Sequence, residues 1–213
     1  RGILDEAKTV REHAGLFDLG HMGRVKVYGP QAEAFLQRLQ TNDAAAIKPG
    51  KIRYALLLDD DGLTQDDILL YRNPDNDGFF VVINAGNATR DLERMNKIAE
   101  GFDVTVEDCT QSLGMIAIQG PKSQDITQQI CSGDRASLGY YAWMNTEIGG
   151  VPMTLSRTGY TGELGTMGDL QARFQTAAQF ACQVRTFCDE YGAQDLAALI
   201  ATFQERVEFG NTP

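Results

Sequence analysis

Tyr54-Ala-Leu-Leu-Leu58, Asp59-Asp-Asp-Gly62, Asp66-Asp-Ile-Leu-Leu-Tyr71 and Phe79-Phe-Val-Val-Ile-Asn84 follow one another between Arg53 and Asn84 and read as a β-meander. The apolar runs are strands, and Asp61-Gly62 is a hairpin signal, because both residues tolerate the positive backbone angles of a tight turn between twisted strands. Two carboxylates, Asp66 and Asp67, open a strand that is otherwise Ile, Leu and Tyr. Alternation puts Asp67 on one face with Leu69 and Tyr71 and Asp66 on the other with Ile68 and Leu70. Either both lie at a solvated strand end, or one faces a covered surface and needs a cation, a hydrogen-bonding ligand or water.

Working outward, Arg24 to Tyr28 alternates as a half-buried strand, and Gly29-Pro30 ends it and starts a helix that runs to about Gln40. Ile116 to Ile130 repeats this strand-Gly-Pro-helix device, with Gly120 standing 91 positions after Gly29. Two copies are too few for a solenoid, so the expectation is an α+β protein built from two related units. A short helix precedes Gly20-His-Met-Gly23, whose glycines imply a sharp turn or a close approach. A second helix opens at Asn87 with Leu92, Met95 and Ile98 on its buried face, and Phe102 to Glu107 alternates as a further strand. Gly149-Gly150 joins the strands Tyr140 to Thr146 and Val151 to Ser156. From Thr166 the texture becomes rich in Gln, Ala and Phe, and two amphipathic helices are expected around Tyr191-Gly192. The expected divisions are therefore a first unit over 1–110, the start of a second over 111–165 and a helical segment over 166–213.

The 213-residue chain has 43% hydrophobic and 23% charged residues, ordinary for a soluble protein and enough for a substantial core. It has no run of about 18 apolar residues to span a bilayer, so no membrane partner is expected, and the opening Arg1-Gly-Ile-Leu looks like the interior of a gene product. A formal net charge of -10 argues against a nucleic-acid partner, since phosphate binding needs clustered Lys and Arg. Cys109, Cys131, Cys182 and Cys188 form no CxxC pair, and with His13 and His21 the only histidines no metal site is expected. Reduced thiols and a cytoplasmic setting follow. P-loop, GxGxxG and GxSxG signatures are missing, which disfavours nucleotide hydrolysis, Rossmann dehydrogenation and serine-hydrolase chemistry.

Ser156-Arg-Thr-Gly-Tyr-Thr-Gly-Glu163 is composed like a ligand-binding loop, although a plain connector of this composition is as good a reading. Arg157, Tyr160, Tyr54 and Asn84 offer a cation, two stacking rings and an amide, a set suited to a planar heterocycle. Asp67 would then hold or protonate one of its nitrogens.

Phe17-Asp-Leu-Gly-His-Met-Gly23, Thr41-Asn-Asp43, Asp61-Gly-Leu-Thr-Gln-Asp-Asp-Ile68, Val82-Ile-Asn-Ala85, Ile118-Gln-Gly-Pro121 and Ser156 to Glu163 together resemble the aminomethyltransferase family, the T-proteins of the glycine cleavage system. The resemblance spans about Val10 to Gly165 and implies a tetrahydrofolate-binding fold of related α+β domains. It also implies the transfer of an aminomethyl group from the lipoyl arm of the H-protein to tetrahydrofolate, giving 5,10-methylenetetrahydrofolate and ammonia. By the same resemblance Asp67 is the catalytic acid, Met22, Tyr54, Asn84 and Tyr160 line the folate pocket, and Asp66 and Tyr71 are its neighbours. The chain departs from the family at Thr166, Met167 and Gln194, where an aromatic or aliphatic residue, a pterin-binding glutamate and a folate-contacting arginine are usual. Loss of such polar contacts costs roughly 1–3 kcal/mol each. The alternatives are a tetrahydrofolate-dependent demethylase, a folate-binding or assembly protein without turnover, and a purely structural subunit.

Overall fold

The Asp59-to-Leu63 turn forms as its residues allow: Asp59 N–H donates to Leu63 O at 2.9 Å, and the Asp59 carboxylate accepts from Asp61 N at 3.0 Å and Leu63 N at 2.8 Å. Only Gly62, at φ +81°, takes the left-handed conformation, so Asp61 is not needed for that role. A computed structural model describes residues 2–131, 138–148, 151–159, 161–162 and 165–170. In chain order its elements are helix α1 (Ile3–Glu12), strands β1 (Gly15–Asp18) and β2 (Gly23–Tyr28), helix α2 (Ala32–Leu39) and strands β3 (Ile52–Leu58), β4 (Thr64–Arg72) and β5 (Phe79–Ile83). Helix α3 (Ala88–Ala99), strands β6 (Thr105–Asp108) and β7 (Gly114–Gln119), helix α4 (Ser123–Ile130) and strands β8 (Trp143–Ile148), β9 (Val151–Ser156) and β10 (Gly165–Leu170) follow. The α+β class expected from the sequence holds. No helix among the described residues is long and apolar enough to cross a membrane.

One unit, Gly20–Gln111 with Tyr141–Trp143, is built on an antiparallel sheet of order β3-β4-β5-β2-β6. Phe35, Leu36 and Leu39 of α2 and Met95 of α3 cover one face of it, meeting Val25, Val27, Ile68, Leu70, Val81 and Ile83. Each of these side chains, fully withdrawn from water, contributes about 1.5–3 kcal/mol, which is why β5 is apolar at all five positions. On the opposite face Tyr71 packs edge-on against Phe80, centroids 5.8 Å apart, and against Trp143 at 5.5 Å.

The second unit has a sheet of order β1-β7-β10-β9-β8, the first sheet's order with β1 in place of β6. The registers agree: Tyr28 pairs with Thr105 just before Gly29, and Gln119 pairs with Gly15 just before Gly120. Both glycines have matching left-handed backbones, φ +124° and φ +130°. The repeat expected from the sequence is thus present, but its final helix and strand, α3 and β6 in one unit, come from the start of the chain, α1 and β1, in the other. This corrects the expected boundaries. The first unit begins at Gly20 rather than at residue 1, because Gly15–Asp18 hydrogen-bonds to β7. Residues 165–170 form a strand between β7 and β9 rather than opening a helical segment; the two helices expected further on lie outside the described residues.

Gly120 carries the most exacting contact in this arrangement. A Cβ there would lie 2.5 Å from His13 O, 2.6 Å from Val10 O and 2.7 Å from Ala14 Cα, all backbone atoms at the end of α1. Strain at this φ and overpacking add, so Gly120→Ala is expected to destabilise by about 3 kcal/mol or more. Urea unfolding of variant and parent checks this, and an unchanged midpoint would refute it.

Candidate functional site

The Gly20-His-Met-Gly23 turn is fastened from beneath by a buried arginine. Arg24, 1% exposed, donates from Nη1 to Met22 O at 2.6 Å, from both terminal nitrogens to Gly20 O, and from Nη2 to Thr110 O. A guanidinium is the side chain suited to this, having five donors in one rigid plane. At the next level β2 approaches β5 closely: a Cβ on Gly23 would fall 2.3 Å from Ile83 Cγ1. Gly23 pairs with Ile83, so half-buried Met22 is brought to the level of Asn84.

Asp66 and Asp67 face apart, as alternation requires. Asp67 pairs with Leu56 across β3, which makes Tyr54 its diagonal neighbour on the same face. Tyr54 is 47% exposed, and its phenol lies beside the Asp67 carboxylate. Partial desolvation, and next the Asp67 carboxylate, raise its phenol above the usual value, so it stays a neutral donor. The Thr41-Asn-Asp43 motif anchors this strand: Asn42 Nδ2 donates to Tyr54 O at 3.0 Å, and Thr41 exchanges bonds with Leu56, N to O at 3.1 Å and Oγ1 from N at 3.1 Å.

Asp66, 4% exposed, receives Asn84 N at 3.0 Å, Asn84 Nδ2 at 2.9 Å and Asn87 Nδ2 at 2.8 Å. Asn84 Nδ2 also reaches Asp67 O at 2.9 Å and Asp67 Oδ1 at 3.1 Å, so one amide ties both acids. Asp91, fully buried on the first turns of α3, accepts Gln65 Nε2 at 2.7 Å and hydrogen-bonds Asp66. Burial works to raise the Asp66 carboxyl, but the bonds from Asp91, Asn84 and Asn87 outweigh it and hold the group below the ordinary carboxylate range. Burial, and then Asp66, push Asp91 the other way, up to about 7.

The sequence therefore named Met22, Tyr54, Asp66, Asp67 and Asn84 within one unit, and the structure gathers them there. Tyr71 is 1% exposed and packs against Phe80 and Trp143. Asp66 is enclosed by amide donors and Asp91. Arg157 belongs to the other unit, where its Nη1 donates to Leu138 O at 3.1 Å. Tyr160 lies outside the described residues. Sequence reasoning missed Asn87 and Asp91; the signal was Asp91 and Met95 four apart, a spacing that puts them on one helix face.

The chain matches the family model described as the GCVT N-terminal domain over residues 1–194. It is 41% identical over 164 residues to the aminomethyltransferase of Desulfitobacterium hafniense and 42% identical over 166 residues to that of Chlorobium luteolum. Each comparison covers 77% of this chain and 45% of the relative. The crystal structure of the glycine cleavage system aminomethyltransferase T from Bartonella henselae superimposes with a TM-score of 0.72 at 34% identity, over 79% of this chain and 45% of that one. The chain thus spans about half the length of the curated relatives it matches.

Proposed function

Since this chain belongs to the family of aminomethyltransferases that carry the GCVT N-terminal domain, we propose that its Asp67 face binds tetrahydrofolate and serves aminomethyl transfer from a lipoylated H-protein. Tetrahydrofolate supplies the two nitrogens that become bonded to the transferred carbon, while ammonia and a lipoyl thiol are released; no external oxidant or reductant is required. What the protein's own residues do follows from their bonds. The Asp67 carboxylate accepts from Asn84 Nδ2 and lies beside the Tyr54 phenol, which leaves acceptor capacity for a substrate N–H. The Tyr54 ring, exposed at the same strand level, is a stacking surface for a planar ring system. Met22, half-buried at the level of Asn84, would supply apolar contact beside them. Positioning is the main contribution, because holding an attacking amine against a placed carboxylate is worth more than an added nucleophile. The setting proposed is the cytoplasm.

The observation that carries this reading is Asp67, half-buried, bonded to Asn84 and diagonal to Tyr54, on the side of the sheet opposite the helix-covered core. Calorimetric titration of the full chain with tetrahydrofolate, followed by an ammonia-release assay with lipoylated H-protein, tests it. Saturable binding and H-protein-dependent ammonia release are expected. No heat of binding would refute the folate site, and release of formaldehyde from methylated amines in place of ammonia would move the chain to demethylation.

A further inference from the structure

Asp91 has a bonding pattern that a carboxylate does not explain. It is 0% exposed, its Oδ1 accepts Gln65 Nε2 at 2.7 Å, and its Oδ2 is buried and meets no N–H or O–H donor among the described residues. What it does meet is Asp66. Two ionised carboxylates offer only acceptors to each other, so a hydrogen bond between them requires that one carry a proton. Asp66 already receives three amide N–H groups and is the better stabilised anion, which leaves the proton on Asp91.

We propose that Asp91 is held as a neutral carboxylic acid donating its proton to Asp66, and that this buried donor positions Asp66, Asn84 and, through them, the Asp67 carboxylate. Asp66 bonded on every side has no free rotamer. Its two bonds from Asn84, backbone and side chain, then fix the plane of that amide and aim Nδ2 at Asp67 O and Oδ1. The groups facing Asp91 are Gln65 and Asp66 from β4 and Arg90 from its own helix; both partners' displaced titration, Asp66 downward and Asp91 upward, agrees with one proton held between them. The functional part of this inference rests on the folate-site reading above; the protonation and the positioning do not.

Three proteins decide it: the parent, Asp91→Asn and Asp91→Leu. Asn keeps both bonds, since its Nδ2 can donate to Asp66 while its Oδ1 accepts from Gln65, whereas Leu removes the donor at similar volume. The parent at mildly acidic pH is expected to show the infrared C=O stretch of a buried neutral carboxylic acid, lost in Asp91→Asn. The Asn84 side-chain amide resonances are expected to keep their positions in Asp91→Asn and to move in Asp91→Leu. A parent without that band, a band that survives Asp91→Asn, or Asn84 resonances unmoved by Asp91→Leu would each overturn the proposal. If Asp91→Leu does not fold, the infrared comparison and the Asp91→Asn resonances still decide. Tetrahydrofolate affinity, expected to fall about tenfold in Asp91→Leu and to be kept in Asp91→Asn, reports on the folate site separately. A parent that binds no folate would sink that site while leaving the band and the amide signals to judge Asp91.

Discussion

Asp67→Asn is expected to keep the fold and tetrahydrofolate binding while lowering turnover by about 10²–10⁴-fold, the usual worth of a positioned proton-transfer group. The substitution preserves shape, and the surrounding bonds survive it: Asn84 Nδ2 retains Asp66 Oδ1 at 2.9 Å and Asp67 O at 2.9 Å. What disappears is the negative charge and the capacity to take a proton. A half-exposed loss of this kind costs little stability, roughly 1 kcal/mol or less. Ammonia release at saturating tetrahydrofolate and lipoylated H-protein, beside calorimetric affinity, separates the two effects. An Asn variant turning over within about fivefold of the parent would remove Asp67 from the chemistry.

The meander, the two strand-Gly-Pro-helix devices and the opposed directions of Asp66 and Asp67 were legible because each is local: a turn residue, a period of two, a proline at a helix start. Strand β1 was not, since nothing in Gly15-Leu-Phe-Asp18 says that its partner is Ile116 to Gln119, a hundred positions on. Strand β10 was hidden by its own composition. Gly165-Thr-Met-Gly-Asp-Leu170 has two glycines and an acid, poor strand formers, and is held as a strand by β7 and β9 on either side. The site was read through its exposed groups and missed behind them. Asp91 looks like a solvated acid in the first turns of a helix until its spacing to Met95 is noticed, and Tyr71 looks like a pocket ring until Trp143 is brought against it from far along the chain.

Asp66→Asn is expected to be the most destabilising single change in the site, by about 3–5 kcal/mol, because it breaks a buried charged network from its centre. Oδ1 of Asp66 accepts Asn84 Nδ2 and Asn87 Nδ2, and Oδ2 accepts Asn84 N, so either orientation of an asparagine amide turns an NH₂ group toward an N–H donor. The pH dependence follows from the same network. Asp91, raised from 3.8 to about 7 by burial and by Asp66, keeps in the folded state a proton that the unfolded chain releases near its ordinary value. The folded state therefore binds more protons over that interval, and this contribution is present at the acid end and lost as pH rises through about 7. Asp66, lowered mainly by the bonds from Asp91, Asn84 and Asn87 that overcome its burial, has the opposite sign: its contribution is present above 3.8 and lost as pH falls through the lowered value. The two contributions together are therefore largest near 3.8, fall as pH rises from there through about 7, and change no further above it. In Asp66→Asn the neighbouring charge that raises Asp91 is gone, so urea unfolding across roughly pH 5 to 8 should show a lower midpoint and a shallower decline with rising pH. A variant as stable as the parent, or one whose stability falls just as steeply with pH, would mean that Asp66 is not the group on which Asp91 and Asn84 are hung.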